Sequence, residues 1–323
     1  MSTCNYKTII GFGVLAKTEA SYNAGASLST STDGVQATEP PVMNIVYSYD
    51  GARPTPPGTA GQQAFASPTG ETCEGSIVTE LRGLGSAYST SSLVPNVDTL
   101  LQAAGFTSSI SASGWLFTPD PVDACAKSAA FKVFSRQESY QVSGSFTNFE
   151  ITTNAGAPAT ANFSFMGLPS IPTDEALPTI TYNDTLPPKT SDINFVWDGI
   201  TDLKVRSFSI ALNREMTNRQ DLNAVSGSAG FAVGRRAPTM TLTIESPDFN
   251  TQFNPHQQMK DKDIVDWSVQ IGSVQYNRYK IGGKGQITGV TRGEDGSVAT
   301  LDLEIALVTT TGAGNDDIYI YFD

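Results

Sequence analysis

Apolar residues recur at every second position in short runs bounded by Gly, Pro, Asn and Ser, and that period commits most of this chain to half-buried β-strands. In residues 42–49 two interleaved sets alternate, Val42, Asn44, Val46, Ser48 against Met43, Ile45, Tyr47, Tyr49. The same reading predicts strands at 76–82, 129–134, 140–151, 161–167, 205–212 and 239–245. Two segments carry helical signals instead: 95–105, closed by a glycine suited to a C-cap, and 255–267, opened by a proline.

These elements follow one another in an order that occurs twice: strand, long polar loop, strand, helix, hairpin. The first loop is 53–75 and the second 213–238. The first hairpin turns through Asn154-Ala155-Gly156 and the second through Gly293-Glu294-Asp295-Gly296. Between the copies lie Pro169, Pro172, Pro178, Pro187 and Pro188. The expected organisation is therefore a first β domain at 42–168, a proline-rich linker at 169–194 and a second β domain at 195–323. Residues 14–42 are rich in Ala, Ser, Thr and Gly and end in Glu39-Pro40-Pro41, so residues 1–41 are expected to form an extended N-terminal arm rather than core.

The formal net charge is −12, which repels a phosphate backbone and disfavours nucleic-acid binding. Three scattered cysteines, Cys4, Cys73 and Cys125, have neither disulfide-framework nor zinc spacing. The first residues read as no signal peptide, and no stretch reaches the roughly 20 apolar residues of a membrane helix. A reducing cytosol fits both, and the sequons at Asn162 and Asn183 then carry no glycan. His256 is alone, so no histidine-based triad or multi-histidine metal cage is available. Acidic residues at 261–266 and 315–317 lack calcium-loop spacing and read as solvated faces. Gly282-Gly283-Lys284-Gly285 and Arg82-Gly83-Leu84-Gly85 lack the phosphate-loop ending and read as turns. No enzyme activity, metal or cofactor is expected. Arg235-Arg236 is a compact basic spot, either an intersubunit contact or a plain surface pair.

Glu80-Leu81-Arg82-Gly83-Leu84-Gly85-Ser86-Ala87, followed by the Leu-Leu-Gln-Ala-Ala-Gly-Phe run at 100–106, resembles the strand, Gly-rich turn and helix of major tail tube proteins of long-tailed bacteriophages. Residues 206–215 and 234–245 are similar to paired strands of the same family. The resemblance implies a mainly β fold, tandem antiparallel β-sandwich or barrel domains of tail-tube type, each with a short flanking helix. It implies a structural virion protein whose rings stack around a strand-lined, acidic channel that phage DNA passes without specific binding. Rings are hexameric when the domain is single and trimeric and pseudo-hexameric when it is duplicated; the repeat favours three. The implied partners are further copies of the chain and the tape measure, tail terminator and distal tail proteins, with assembly in the host cytoplasm and a final place in the virion tail. In that setting Arg214, Arg219, Arg235 and Arg236 are candidate contacts to an adjacent ring, presented by a loop that stays mobile until assembly orders it. The competing reading is a phage receptor- or carbohydrate-binding β-sandwich, which requires exposed aromatics gathered in one cleft. Trp115, Trp197 and Trp267 are expected in core instead.

Overall fold

The computed structural model describes residues 11–50, 67–86, 95–111, 114–120, 127–135, 137–183, 185–188, 193–224, 227–312 and 314–323. Cys4, Cys125 and much of the first predicted loop lie outside them. The chain begins with β1 (Phe12–Thr18), β2 (Gly34–Val35), β3 (Val42–Asp50) and β4 (Ser67–Glu80), then α1 (Asp98–Ala103). Next come β5 (Phe106–Ser111), β6 (Gly114–Pro119), β7 (Ala129–Ser135), β8 (Glu138–Asn154), β9 (Thr160–Pro169) and β10 (Thr173–Asp174). After the proline-rich segment follow β11 (Ile193–Trp197), β12 (Val205–Ala211), β13 (Arg214–Gln220), β14 (Ser228–Arg236) and β15 (Thr239–Glu245). The chain closes with α2 (Pro255–Asp261), β16 (Ile264–Ile271), β17 (Tyr279–Asp295), β18 (Val298–Leu307) and β19 (Tyr319–Phe322). The fold is mainly β, and its ladders are antiparallel.

Two walks through the hydrogen-bond ladders follow the same course. One runs β1, β7, β8, β9, β4, β3 and the other β11, β16, β17, β18, β15, β12. In each, the long central strand has 17 residues and passes from one layer to the other through a β-bulge. Core side chains meet between the layers. Phe131 of β7 stacks on Phe165 of β9 with centroids 4.8 Å apart. In the second half, a side chain at Gly285 would strike Ile305, Trp267 and Trp197. All three tryptophans are buried.

The halves also share ladders. The end of β8 pairs with β12, and β19 pairs with β6, where Phe117 meets Phe322 edge-on at 5.9 Å. The proline-rich segment lies across β1 and β2: side chains at Gly13 or Gly34 would collide with Ile180.

Three expectations need correction. Residues 14–42 do not begin outside the core, because β1 pairs along its length with β7 and buries Val14, Leu15 and Ala16. The first long loop is shorter than 53–75, since Ser67 onward already pairs with β3. The second helix stops at Asp261 rather than reaching Trp267: Asn254 caps its start, Lys262 takes the left-handed conformation, and β16 follows.

Adjacent positions on β15 separate the two faces of its sheet. Leu242→Ala, at a fully buried site, is expected to lower stability by about 2–5 kcal/mol. Thr241→Ala, one residue away on the exposed face, is expected to stay within about 0.5 kcal/mol of the parent in urea unfolding of the subunit.

Candidate functional site

Because β8 pairs with β12, the second layers of the two halves run on as one sheet in the order β3, β4, β9, β8, β12, β15, β18, β17. Alternation gives this sheet two unlike faces. One carries the core residues Ile77, Phe163, Ile151, Ile210, Leu242 and Leu303, all buried. The other carries Asn, Ser and Thr with the carboxylates of Glu74, Glu150, Glu245, Asp295, Asp302 and Glu304. Polar cross-strand contacts cover it: Ser209 Oγ donates to Glu150 at 2.8 Å, Thr243 Oγ1 donates to Asp302 at 2.7 Å, and the Thr152 and Thr160 hydroxyls lie 3.1 Å apart.

Among the described side chains that these strands turn to this face, none is Lys or His. Arg206, at the β12 bulge, reaches its rim, where Glu245 and Asp295 hold the guanidinium. The face is therefore anionic and hydrogen-bonded across its width. Its two outermost strands each end in an open edge. Among the described strands, β3 pairs only with β4, and β17 beyond Ile287 pairs only with β18. Val42 is 59% exposed and Val46 37%.

The polar segment 213–238 is not an irregular loop. It forms the β13–β14 hairpin, which folds back over the first half of its own chain. Phe231 is buried, and its backbone N–H donates to Tyr22 Oη at 2.6 Å; Tyr22 in turn stacks on Phe146. Burial pushes the Tyr22 phenol up, against the opposing pull of the Phe231 N–H and of Arg219. The hairpin escaped the sequence reading because residues 217–220 are all exposed and polar, so no period-two apolar signal marks them.

The four candidate arginines separate into two kinds. Arg214 is buried, and its Nη1 donates to the carbonyl of Ala104 at 2.6 Å, completing the C-terminus of α1. Gly105 (φ +87°) makes room for it: a Cβ there would sit 1.6 Å from that nitrogen. Arg236 pairs through Nε with the buried Asp317 at 2.9 Å and also reaches the Gly314 carbonyl. Both are committed within the chain. Arg219 and Arg235 are exposed.

Other chemistry-bearing residues do not gather. His256 is exposed and edges against Phe249 at 5.8 Å. Burial pushes the Cys73 thiol up to about 11. Among the described residues no three His, Cys, Asp or Glu side chains are placed to share a metal ion, and no helix is long and apolar enough to cross a membrane. A hollow of about 570 Å³ lies on the opposite layer beside Trp267 and Tyr319, where Lys284 is paired with Asp266 at 2.9 Å. No exposed tryptophan platform offers itself to a sugar.

The family model described as phage tail tube protein matches residues 56–305 of the chain. A search of curated proteins returned no match.

The Gly105–Arg214 contact is open to a double-mutant cycle. Gly105→Ala is expected to cost about 2 kcal/mol or more, from the left-handed backbone and the displaced guanidinium. In an Arg214→Ala background the same change should cost less, with a coupling of about 0.5–3 kcal/mol in urea unfolding.

Proposed function

This chain belongs to the phage tail tube protein family and is a structural component of the tail; from that premise we propose that it builds the tube from trimeric rings whose channel is lined by the eight-stranded sheet. The observation that carries this reading is the sheet itself. One face is core, the other is anionic, and both outermost strands are left with an edge to fill. An exposed edge is a hazard for a monomer, and closure of a barrel between copies removes it. With the strand order made twice per chain, three copies supply the six similar units of a pseudo-hexameric ring. In this reading 42–168 and 195–323 are the two repeated domains, with β1 added to the first and 169–194 as the linker that joins them.

An anionic lining suits passage of DNA. Carboxylates of Glu74, Glu150, Asp302 and Glu304 repel phosphate, and a lining without lysine offers no counterion-release gain, so the polymer slides rather than sticks. The exposed Arg219 and Arg235 are placed by this reading against carboxylates of the next ring, where desolvated pairs matter most. The tape measure, tail terminator and distal tail proteins are the partners at the channel and the tube ends. Assembly takes place in the host cytoplasm and the finished tube lies in the virion tail.

Electron microscopy of the purified protein is expected to show rings and tubes with a central channel, and a strictly monomeric protein at high concentration would contradict this. The double variant Glu74→Lys, Glu304→Lys is expected to assemble as before but to retain duplex fragments at low salt and release them as salt rises. Equal DNA retention by parent and variant would remove the channel assignment.

A further inference from the structure

The β8–β12 junction is made once inside the chain, and its counterpart is missing at the two ends of the same sheet. Because the ladders repeat, that counterpart can be read residue by residue. The rungs Phe149–Phe163–Ile77 match Val290–Leu303–Leu242, and Phe165–Gly75–Met43 match Ile305–Met240–Ile210. The outer part of the β3–β4 hairpin follows suit: its register shift between Ser48 and Tyr49 falls where the β13–β14 hairpin shifts between Arg214 and Met216. Thus β17 stands where β8 stands, and β3 where β12 stands.

Inside the chain Ile151 faces Ile210, Glu150 faces Ala211, and the Leu212 N–H donates to the Phe149 carbonyl at 3.0 Å. We propose that the same junction forms between copies, with Val42–Val46 of one chain pairing antiparallel to Gly289–Gly293 of the next, Met43 opposite Arg292 and Asn44 opposite Thr291. The inference rests on the ring reading above and adds the partner strands and their register.

Two features of the edges agree with this register. Val42 and Val46, the exposed valines of β3, each fall opposite a glycine, Gly293 and Gly289, so the side chains that protrude meet positions that have none. Glycine within a strand marks a place where another backbone comes close. At the other end the ladder stops at Pro40-Pro41: Pro41 stands where Phe208 stands and has no N–H to turn to the junction. The pairing between copies is therefore bounded, and a slip by one residue would turn Met43 and Ile45 to the anionic face.

Disulfide trapping tests the register. Directly opposed residues of an antiparallel pair have Cα atoms about 4.5–5.5 Å apart, within disulfide reach, whereas diagonal neighbours lie about 7–8 Å apart. Asn44→Cys with Thr291→Cys is the matched pair. Val42→Cys or Val46→Cys with Thr291→Cys are the shifted pairs on the same face, and each single variant controls for the native cysteines. Assembled protein is oxidised with copper phenanthroline, run on non-reducing gels and imaged in parallel. The matched pair is expected to lose its monomer band to covalent dimers and trimers and nothing larger, while the shifted pairs and single variants stay monomeric on the gel. Rings in the images without cross-linking of the matched pair, or with a shifted pair cross-linking equally well, overturn the register and leave the ring reading standing. Absence of both rings and cross-links overturns the ring reading and the inference with it.

Discussion

The short ladder between the end of β8 and β12 decides the form of the whole chain. Its rungs run from Asn154 opposite Ser207 to Glu150 opposite Ala211. Each cross-strand pair contributes only about 0.2–1 kcal/mol, far less than the buried core around it. Its effect is geometric. By joining the second layers of both halves edge to edge, it makes one wide sheet from two narrow ones. The register is held by the faces: a one-residue slip would move Ile210 from the core to a surface of carboxylates.

Other features follow from that join. With the halves side by side, the β13–β14 hairpin of the second can lie across the first, where Arg214 closes α1 and Phe231 meets Tyr22. The anionic face becomes continuous, because Ser209 on one half bonds Glu150 on the other. The join also leaves a remainder. It uses the end of β8 and the edge of β12, while the corresponding end of β17 and edge of β3 find no partner strand among the described residues. A tail tube subunit with this architecture carries one half-junction at each end of its sheet.

Much of this was legible in the sequence where burial is one-sided. The strand 239–245 is legible to the residue because Met240, Leu242 and Ile244 alternate with threonines. β1 was hidden because Val14, Leu15 and Ala16 are buried consecutively, so the period-two signal vanishes and the Ala-Ser-Thr-Gly composition around it dominates. The excess helix at 262–267 arose because charges of alternating sign continue from Lys260 and Asp261 through Lys262 and Asp263, as on a solvated helix face, and the left-handed turn at Lys262 has no strong signature outside glycine and asparagine. Of the candidate arginines, nothing local distinguishes the buried Arg214 from the exposed Arg219. The partner that separates them, the Ala104 carbonyl, lies far away in sequence beside a glycine that only the fold places there.

The central claim is that the sheet of one chain is completed by another copy along defined edges. Hydrogen exchange on the isolated subunit and on assembled tubes measures this at the backbone. Amides of 207–212, at the internal junction, should be protected in both forms. Of the open edges, the amides turned outward, those of Met43 and Ile45 on β3 and of Val290 and Arg292 on β17, should exchange fast in the subunit and become protected only on assembly, while their neighbours stay bonded to β4 and β18. Equal protection of Met43, Ile45, Val290 and Arg292 in the two forms would contradict the account.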